Sequence, residues 1–130
     1  LRSYLTMGVS FIASTISNKV KDMTDIMYEA MNHPGFSIVH VQSPCTEYNN
    51  TFEALKGNVK KGIQPLAYDI PEGHDSSDAE AAQEIVNADG IPLGIIYQDT
   101  SRPTFDKRVS DTTGIKDMKS VESLLDGFTI

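Results

Sequence analysis

"MGVSFIASTISNKVKDMTDIMYEAMNHPGFSIVHVQ", residues 7–42, is the stretch whose reading decides the fold. Met7–Thr15 reads as a short strand, with Val9, Phe11 and Ile12 available to a core, and Ser17 and Asn18 break it. Met23, Ile26, Met27, Ala30 and Met31 then recur at helical spacing. Asp22 and Asp25 sit in the first turns of that helix, where carboxylates favour its dipole. Asn32-His33-Pro34-Gly35 is a stop signal. Phe36–Gln42 follows and is nearly continuous in apolar residues, as a strand covered on both faces would be. The pattern predicts strands at 8–14 and 37–42 joined by a helix over 20–32. Joints this short make the two strands parallel, with a right-handed crossover.

Downstream the character changes. Thr51–Lys60 allows a short helix, weakened by Gly57, and "IQPLAYDIPEGHDSSD" reads as extended chain over a surface. "SSDAEAAQEIVNADG" is a helix capped by Ser77 or Asp78 and ended by Gly90, with Ala81, Ala82, Ile85 and Val86 facing inward. "IPLGIIYQD" is a short strand or extended segment, and "SRPTFDKRVSDTTG" a loop or arm. A last amphipathic helix, "KDMKSVESLLDGF", has Met118, Val121, Leu124 and Leu125 as its stripe. No internal repeat is visible.

The 130 residues suit one core, with 39% apolar residues concentrated before Cys45. The net charge of -7 leaves no basic field for nucleic acid and no polybasic membrane patch. No apolar run approaches the ~20 residues that cross a bilayer. The N-terminal "LRSYLTMGVSFIAST" is interrupted by Ser3, Thr6 and Gly8 and does not read as a signal peptide. One cysteine and no disulfide framework fit a reducing, cytoplasmic setting. A chain that begins with Leu reads as an excerpt of something longer.

The three histidines form no recognisable cluster. His33 falls in a helix stop, His40 in a strand and His74 in a polar loop beside Asp75 and Asp78. A metal site at His74 is conceivable, but the loop reads as a solvated helix start with capping acids, and His40 reads as a core or interface residue rather than a base. No Walker sequence, G-x-G-x-x-G, H-E-x-x-H or G-x-S-x-G is present. Cys45 remains. It is open to three readings: packed thiol, nucleophile, or metal ligand. Its address favours a functional one, because Ser43-Pro44-Cys45 follows the carboxyl end of a parallel strand, the edge where α/β sheets place ligands.

"MGVSFIAST", a helix, then "HPGFSIVHVQSPCTEYNNTFEALK" and "HDSSDAEAAQEIVNADGIPLGIIYQDTSRPTF" resemble the C-terminal part of the beta subunit of 2-oxoacid:ferredoxin oxidoreductases, the pyruvate and 2-oxoglutarate synthases. The likeness runs from Met7 to Phe105, with the motifs in family order. It implies an α/β fold: part of a doubly wound parallel sheet of the thiamine diphosphate-binding type, with a C-terminal extended and helical arm. It divides the chain into residues 1–62, the end of that domain, and 63–130, the extension. The implied parent enzyme oxidatively decarboxylates a 2-oxoacid, passes the acyl group to coenzyme A and sends electrons to ferredoxin, using thiamine diphosphate, Mg²⁺ and [4Fe–4S] clusters. The implied partners are the rest of the beta subunit, alpha- and gamma-type subunits and ferredoxin, with a homodimer as another cover for exposed surface. Cys45 is implied as the fourth ligand of a cluster whose other three cysteines lie upstream of the matching region.

The departures bear on activity. The sequence holds no Gly-Asp-Gly, the family's thiamine–Mg²⁺ motif, and no second cysteine. Ala88-Asp89-Gly90 and Leu125-Asp126-Gly127 read as helix ends. The expectation is a chain inactive alone, binding no cofactor by itself, with Cys45 as its one metal-site residue. A non-catalytic interaction module and a small enzyme with Cys45 as nucleophile, partnered by His40, stay open. Apolar groups of the arm, Ile95, Ile96, Tyr97 and Phe105, are expected to be exposed where neighbouring elements are missing.

Overall fold

A computed structural model describes residues 1–113 and 125–126. In chain order these form α1 (Arg2–Thr6), β1 (Phe11–Ile16), α2 (Val20–Asn32), β2 (Ser37–Gln42), α3 (Phe52–Lys56), β3 (Ala67–Asp69), α4 (Ala79–Asn87), β4 (Ile91–Gln98) and α5 (Phe105–Thr113). The strands make one sheet in the order β2-β1-β4-β3. β1 pairs with β2 in parallel, Phe11 opposite Ser37 through Ile16 opposite Gln42. The expected strand–helix–strand unit is therefore present.

The sheet as a whole is mixed. β4 inserts beside β1 and runs antiparallel to it, with a register shift between Ile12 and Ala13. β3 pairs with β4 in parallel. Two strands of the sheet thus come from beyond residue 62.

β1 is the axis of the core, and all six of its residues are buried. Successive side chains point to opposite faces. On one face Ile12 packs with Val9, Ala82, Val86, Ile96 and Tyr97, joined by Leu1, Leu5 and Ile38. On the other, Phe11 and Ala13 pack with Ile26 of α2, joined by Ala30, Val39 and Ile95. Burying a side chain such as Ile12 contributes about 1.5–3 kcal/mol. A third cluster, Ile16 with Leu55 and Leu93, lies where α3 meets the carboxyl end of β1.

Three expectations change. Ile96 and Tyr97 are buried, at 0% and 6% exposure, and Ile95 is half-buried. β4 is an interior strand with α4 packed on it, so the chain supplies its own cover there. Phe105 is exposed as expected, at 80%. The segment from Phe105 to Thr113, expected as loop or arm, is helix α5. The first strand begins only at Phe11, because Arg2–Thr6 is occupied by α1 and Gly8 turns the chain with φ +78°. Arg2 ties α1 down by donating from Nε to the Val86 carbonyl (3.0 Å) and from Nη2 to Asn87 (3.2 Å). At α4 the cap is Asp78, whose carboxylate accepts from the Glu80 amide at 2.8 Å. The expected final helix over 116–128 lies outside the described residues apart from 125 and 126.

Candidate functional site

Past Gln42, β2 delivers the chain through Ser43 and Pro44 to Cys45, which is exposed. Pro44 fixes the local backbone. The chain then folds back on itself: the Asn49 amide donates to the Cys45 carbonyl at 3.0 Å, closing a small loop. The backbone amides of Tyr48, then Glu47, hold the thiol below its ordinary range, opposed by burial and helped least by the amide of Asn49. Such amides favour a thiolate over a thiol. A thiolate with several N–H donors around it is suited to a soft metal or an iron–sulfur cluster, where bonds to sulfur tune the potential. The same thiolate suits nucleophilic attack, which requires a base within reach. His40 Nε2 lies 3.4 Å from Gln42 Nε2, and among the described residues no hydrogen bond joins it to Cys45.

Cys45 fits one ligand position and no more. No group of three or more His, Cys, Asp or Glu that could hold a metal occurs among the described residues. A thiamine diphosphate–Mg²⁺ pair fits less well, since the sequence lacks the Gly-Asp-Gly motif and the described residues bring no acidic cluster to the sheet edge at Cys45.

The other histidines are structural. His33 is buried, its Nε2 2.9 Å from Ser10 Oγ and its ring against Phe11. Burial pushes its pKa down, opposed by the charge of Asp99. Its Nδ1 has no partner among the described residues. His74 Nε2 lies 2.8 Å from the Ile96 carbonyl and so anchors the loop before α4 to β4. The neighbouring Asp75 is held below the usual carboxylate range by Ser77. The sequence reading missed one feature. A cleft of about 390 Å³ lies at the amino-terminal ends of β1 and β2, lined by Phe36, Arg102, Phe105 and Arg108. Its arginines come from the segment expected as an arm, so its position depended on how α5 returns to the sheet. Arg102 is already committed, donating to Asp99 and to the Gly8 carbonyl at 2.8 Å each.

Residues 47–113, just over half of the chain, match the family model for the C-terminal part of the pyruvate ferredoxin oxidoreductase beta subunit. The beta subunit of 2-oxoacid:ferredoxin oxidoreductase 2 from Aeropyrum pernix is 27% identical over 78% of this chain and 35% of its own length. The beta subunit of the Saccharolobus solfataricus 2-oxoacid:ferredoxin oxidoreductase is 26% identical over 82% of this chain and 37% of its own. This chain therefore spans about a third of the length of the curated relatives it matches. A solved structure of the 2-oxoglutarate:ferredoxin oxidoreductase from Magnetococcus marinus, with 2-oxoglutarate, coenzyme A and succinyl-CoA bound, superposes with a TM-score of 0.70 at 26% identity. It covers 98% of this chain and 43% of that one. The family match and the shared fold agree on one assignment: the chain belongs to the family formed by the C-terminal regions of pyruvate ferredoxin oxidoreductase beta subunits.

Proposed function

We propose that the chain acts as the C-terminal part of a 2-oxoacid:ferredoxin oxidoreductase beta subunit and that Cys45 gives one thiolate ligand to a [4Fe–4S] cluster. The observation that carries this reading is the exposed thiol past the carboxyl end of β2, its pKa lowered by the backbone amides of Tyr48 and Glu47, in a chain whose fold matches a chain of a 2-oxoglutarate:ferredoxin oxidoreductase over 98% of its length. The chemistry a cluster supplies when bound is one-electron transfer. The residues of this chain lower the pKa of the thiol and present it at an open surface. In the parent assembly the reaction is oxidative decarboxylation of a 2-oxoacid to acyl-CoA, with ferredoxin as electron acceptor. Thiamine diphosphate and Mg²⁺ belong to the remainder of the subunit, and the isolated chain is inactive.

On this reading residues 1–62 complete the thiamine-binding-type domain and residues 63–130 form the extension toward alpha- and gamma-type subunits. The 2-oxoacid, coenzyme A and ferredoxin are partners of the assembly, and a homodimer is an alternative cover for exposed surface. The working compartment is the cytoplasm, where a lone exposed thiol stays reduced. No helix among the described residues is long and apolar enough to cross a membrane.

The test is anaerobic reconstitution of this chain joined to the remainder of a beta subunit, as wild type and as Cys45→Ala. Loss of iron or an altered reduced-cluster spectrum in Cys45→Ala is the expected result. Equal iron and an unchanged spectrum would return Cys45 to a packed or surface thiol.

A further inference from the structure

The cleft at the amino-terminal ends of β1 and β2 lies at the opposite end of these strands from Cys45, and the proposed function does not use it. Its volume of about 390 Å³ is in the range of small-molecule sites. Phe36 and Phe105 supply apolar surface and are 68% and 80% exposed. Gly8, Ser10 and Gly35 line it as well. A Cβ on Gly35 would stand 2.4 Å from Ser10 Oγ and 2.8 Å from His33 Nε2, so only glycine leaves room for that polar pair.

Arg102 and Arg108 bring charge to the cleft, but not equally. Arg102 is balanced by Asp99 and held by the Gly8 carbonyl. Arg108 forms no ion pair among the described residues. Asp106 is two positions away and so off the Arg108 side of α5, and its carboxylate is engaged by Thr104. In a chain of net charge -7, the cleft thus holds a single unbalanced positive charge. α5 begins at the same cleft, where the positive end of its dipole favours an anion.

Ser10 adds a neutral donor. It is 94% buried by residue, since its exposure is 6%, and it still lines the cleft. Its Oγ lies 2.9 Å from His33 Nε2 and 3.3 Å from the Phe36 carbonyl. The second contact is long for a hydroxyl, whose bonds cluster near ~2.7–2.8 Å. His33 Nδ1 is buried without a partner among the described residues. A buried orphan acceptor is tolerated better than a buried orphan N–H, which puts the ring hydrogen on Nε2. His33 then donates to Ser10, and the Ser10 hydrogen is left for a better acceptor in the cleft.

We infer that the cleft binds a small organic acid, with one carboxylate paired to Arg108 and accepting from Ser10, and an apolar body between Phe36 and Phe105. A guanidinium and a hydroxyl serve the two oxygens of one carboxylate. One unbalanced charge selects a monoanion over a phosphate dianion, and the exposed rings select an apolar body. The inference does not depend on the role of Cys45.

The experiment titrates the 130-residue chain with phenylacetate and follows backbone amides and arginine side chains by NMR. Phenylacetamide is the uncharged probe, phenyl phosphate the doubly charged one, and acetate the one without a ring. Phenylacetate is expected to shift Gly8, Gly35 and the Arg108 side chain, and to bind at least about tenfold tighter than phenylacetamide or acetate. Arg108→Gln, at an exposed position, is expected to keep the spectrum of the folded chain and to lose at least about tenfold in affinity. Lys107→Gln removes the same charge one residue away, outside the cleft lining, and is expected to leave binding unchanged. No binding of phenylacetate, equal binding of phenylacetamide, tighter binding of phenyl phosphate, or equal losses in Arg108→Gln and Lys107→Gln would overturn the inference. Shifts at Gly8 and Gly35 that vanish once the chain is joined to the amino-terminal remainder of a beta subunit would assign the cleft to a carboxylate of the polypeptide and overturn it too.

Discussion

The two edges of the sheet are built differently. At the β3 edge the chain finishes its own work: Gly90 turns tightly into β4, the Ile91 amide donates to Leu66 (2.7 Å) and Ile70 to Leu93 (3.0 Å), and the strand ends in a charged residue. At the β2 edge, apolar residues stand half-buried beside open backbone, and the strand leads straight to the single exposed thiol. Sequence composition separates these edges only in part: β3 ends in Asp69 and β2 holds no Asp, Glu, Lys or Arg, but both contain short apolar runs. What separates them is how much of each strand's hydrogen bonding and apolar surface this chain satisfies by itself.

Four changes would break or sharpen that contrast, beginning with the largest effect. Ile96→Ala, in the interior strand beside β1, is expected to cost about 2–5 kcal/mol in urea unfolding, against about 1 kcal/mol for Val39→Ala on half-covered β2. Comparable losses would show that β2 is no less finished than β4. Gly90→Ala comes next. The glycine has φ +100°, and an added Cβ would lie 2.7 Å from the Leu66 carbonyl oxygen, so the turn that pairs β3 with β4 must distort. The expected cost is about 1–3 kcal/mol, with faster amide exchange in β3 and none of that change in β2.

His33 gives the third test, on the β2 side. Its pKa in the fold is lowered by burial, so folding favours the neutral ring. That contribution is complete above the unfolded value of about 6.5 and declines as the pH falls below it toward the folded value. Thermal melts from pH 7.5 to 5 should show a fall in stability that His33→Gln flattens. A parallel fall in both proteins would assign the pH effect to other groups. The smallest effect belongs to Lys19→Ala, which removes the ion pair to Asp69 at the β3 edge. Both side chains are partly exposed, and the loss should be at most about 1 kcal/mol and should shrink in salt.

Much of this was legible in the sequence, and the limits have physical causes. Residues 7–42 carry a helical period between two apolar runs, and the short joints leave a parallel pair as the simple solution. The place of β4 was not legible. "IPLGIIYQ" reads equally as a surface strand, and only its long-range pairing with β1 makes Ile96 and Tyr97 core residues. α1 was hidden because its five residues carry little periodicity and are held by Arg2 reaching over eighty residues along the chain to α4. α5 was hidden by Ser101, Pro103 and Thr104, which look like loop, before a sequence rich in polar residues. At the site, Cys45 and its address could be read directly. The amides of Glu47 and Tyr48 around its sulfur could not, because they depend on the local fold-back after Pro44.

The proposed role of exposed Cys45 as a cluster ligand is tested most directly by its alkylation rate. Iodoacetamide is applied at pH 6.5 to the free chain and to the iron-loaded complex with the remainder of the subunit, and the Cys45 peptide is followed by mass spectrometry. The account predicts rapid modification in the free chain, faster than a model thiol peptide at that pH, and near-complete protection in the loaded complex that is lost when iron is chelated. Modification at the same rate in the free chain and the loaded complex would contradict it.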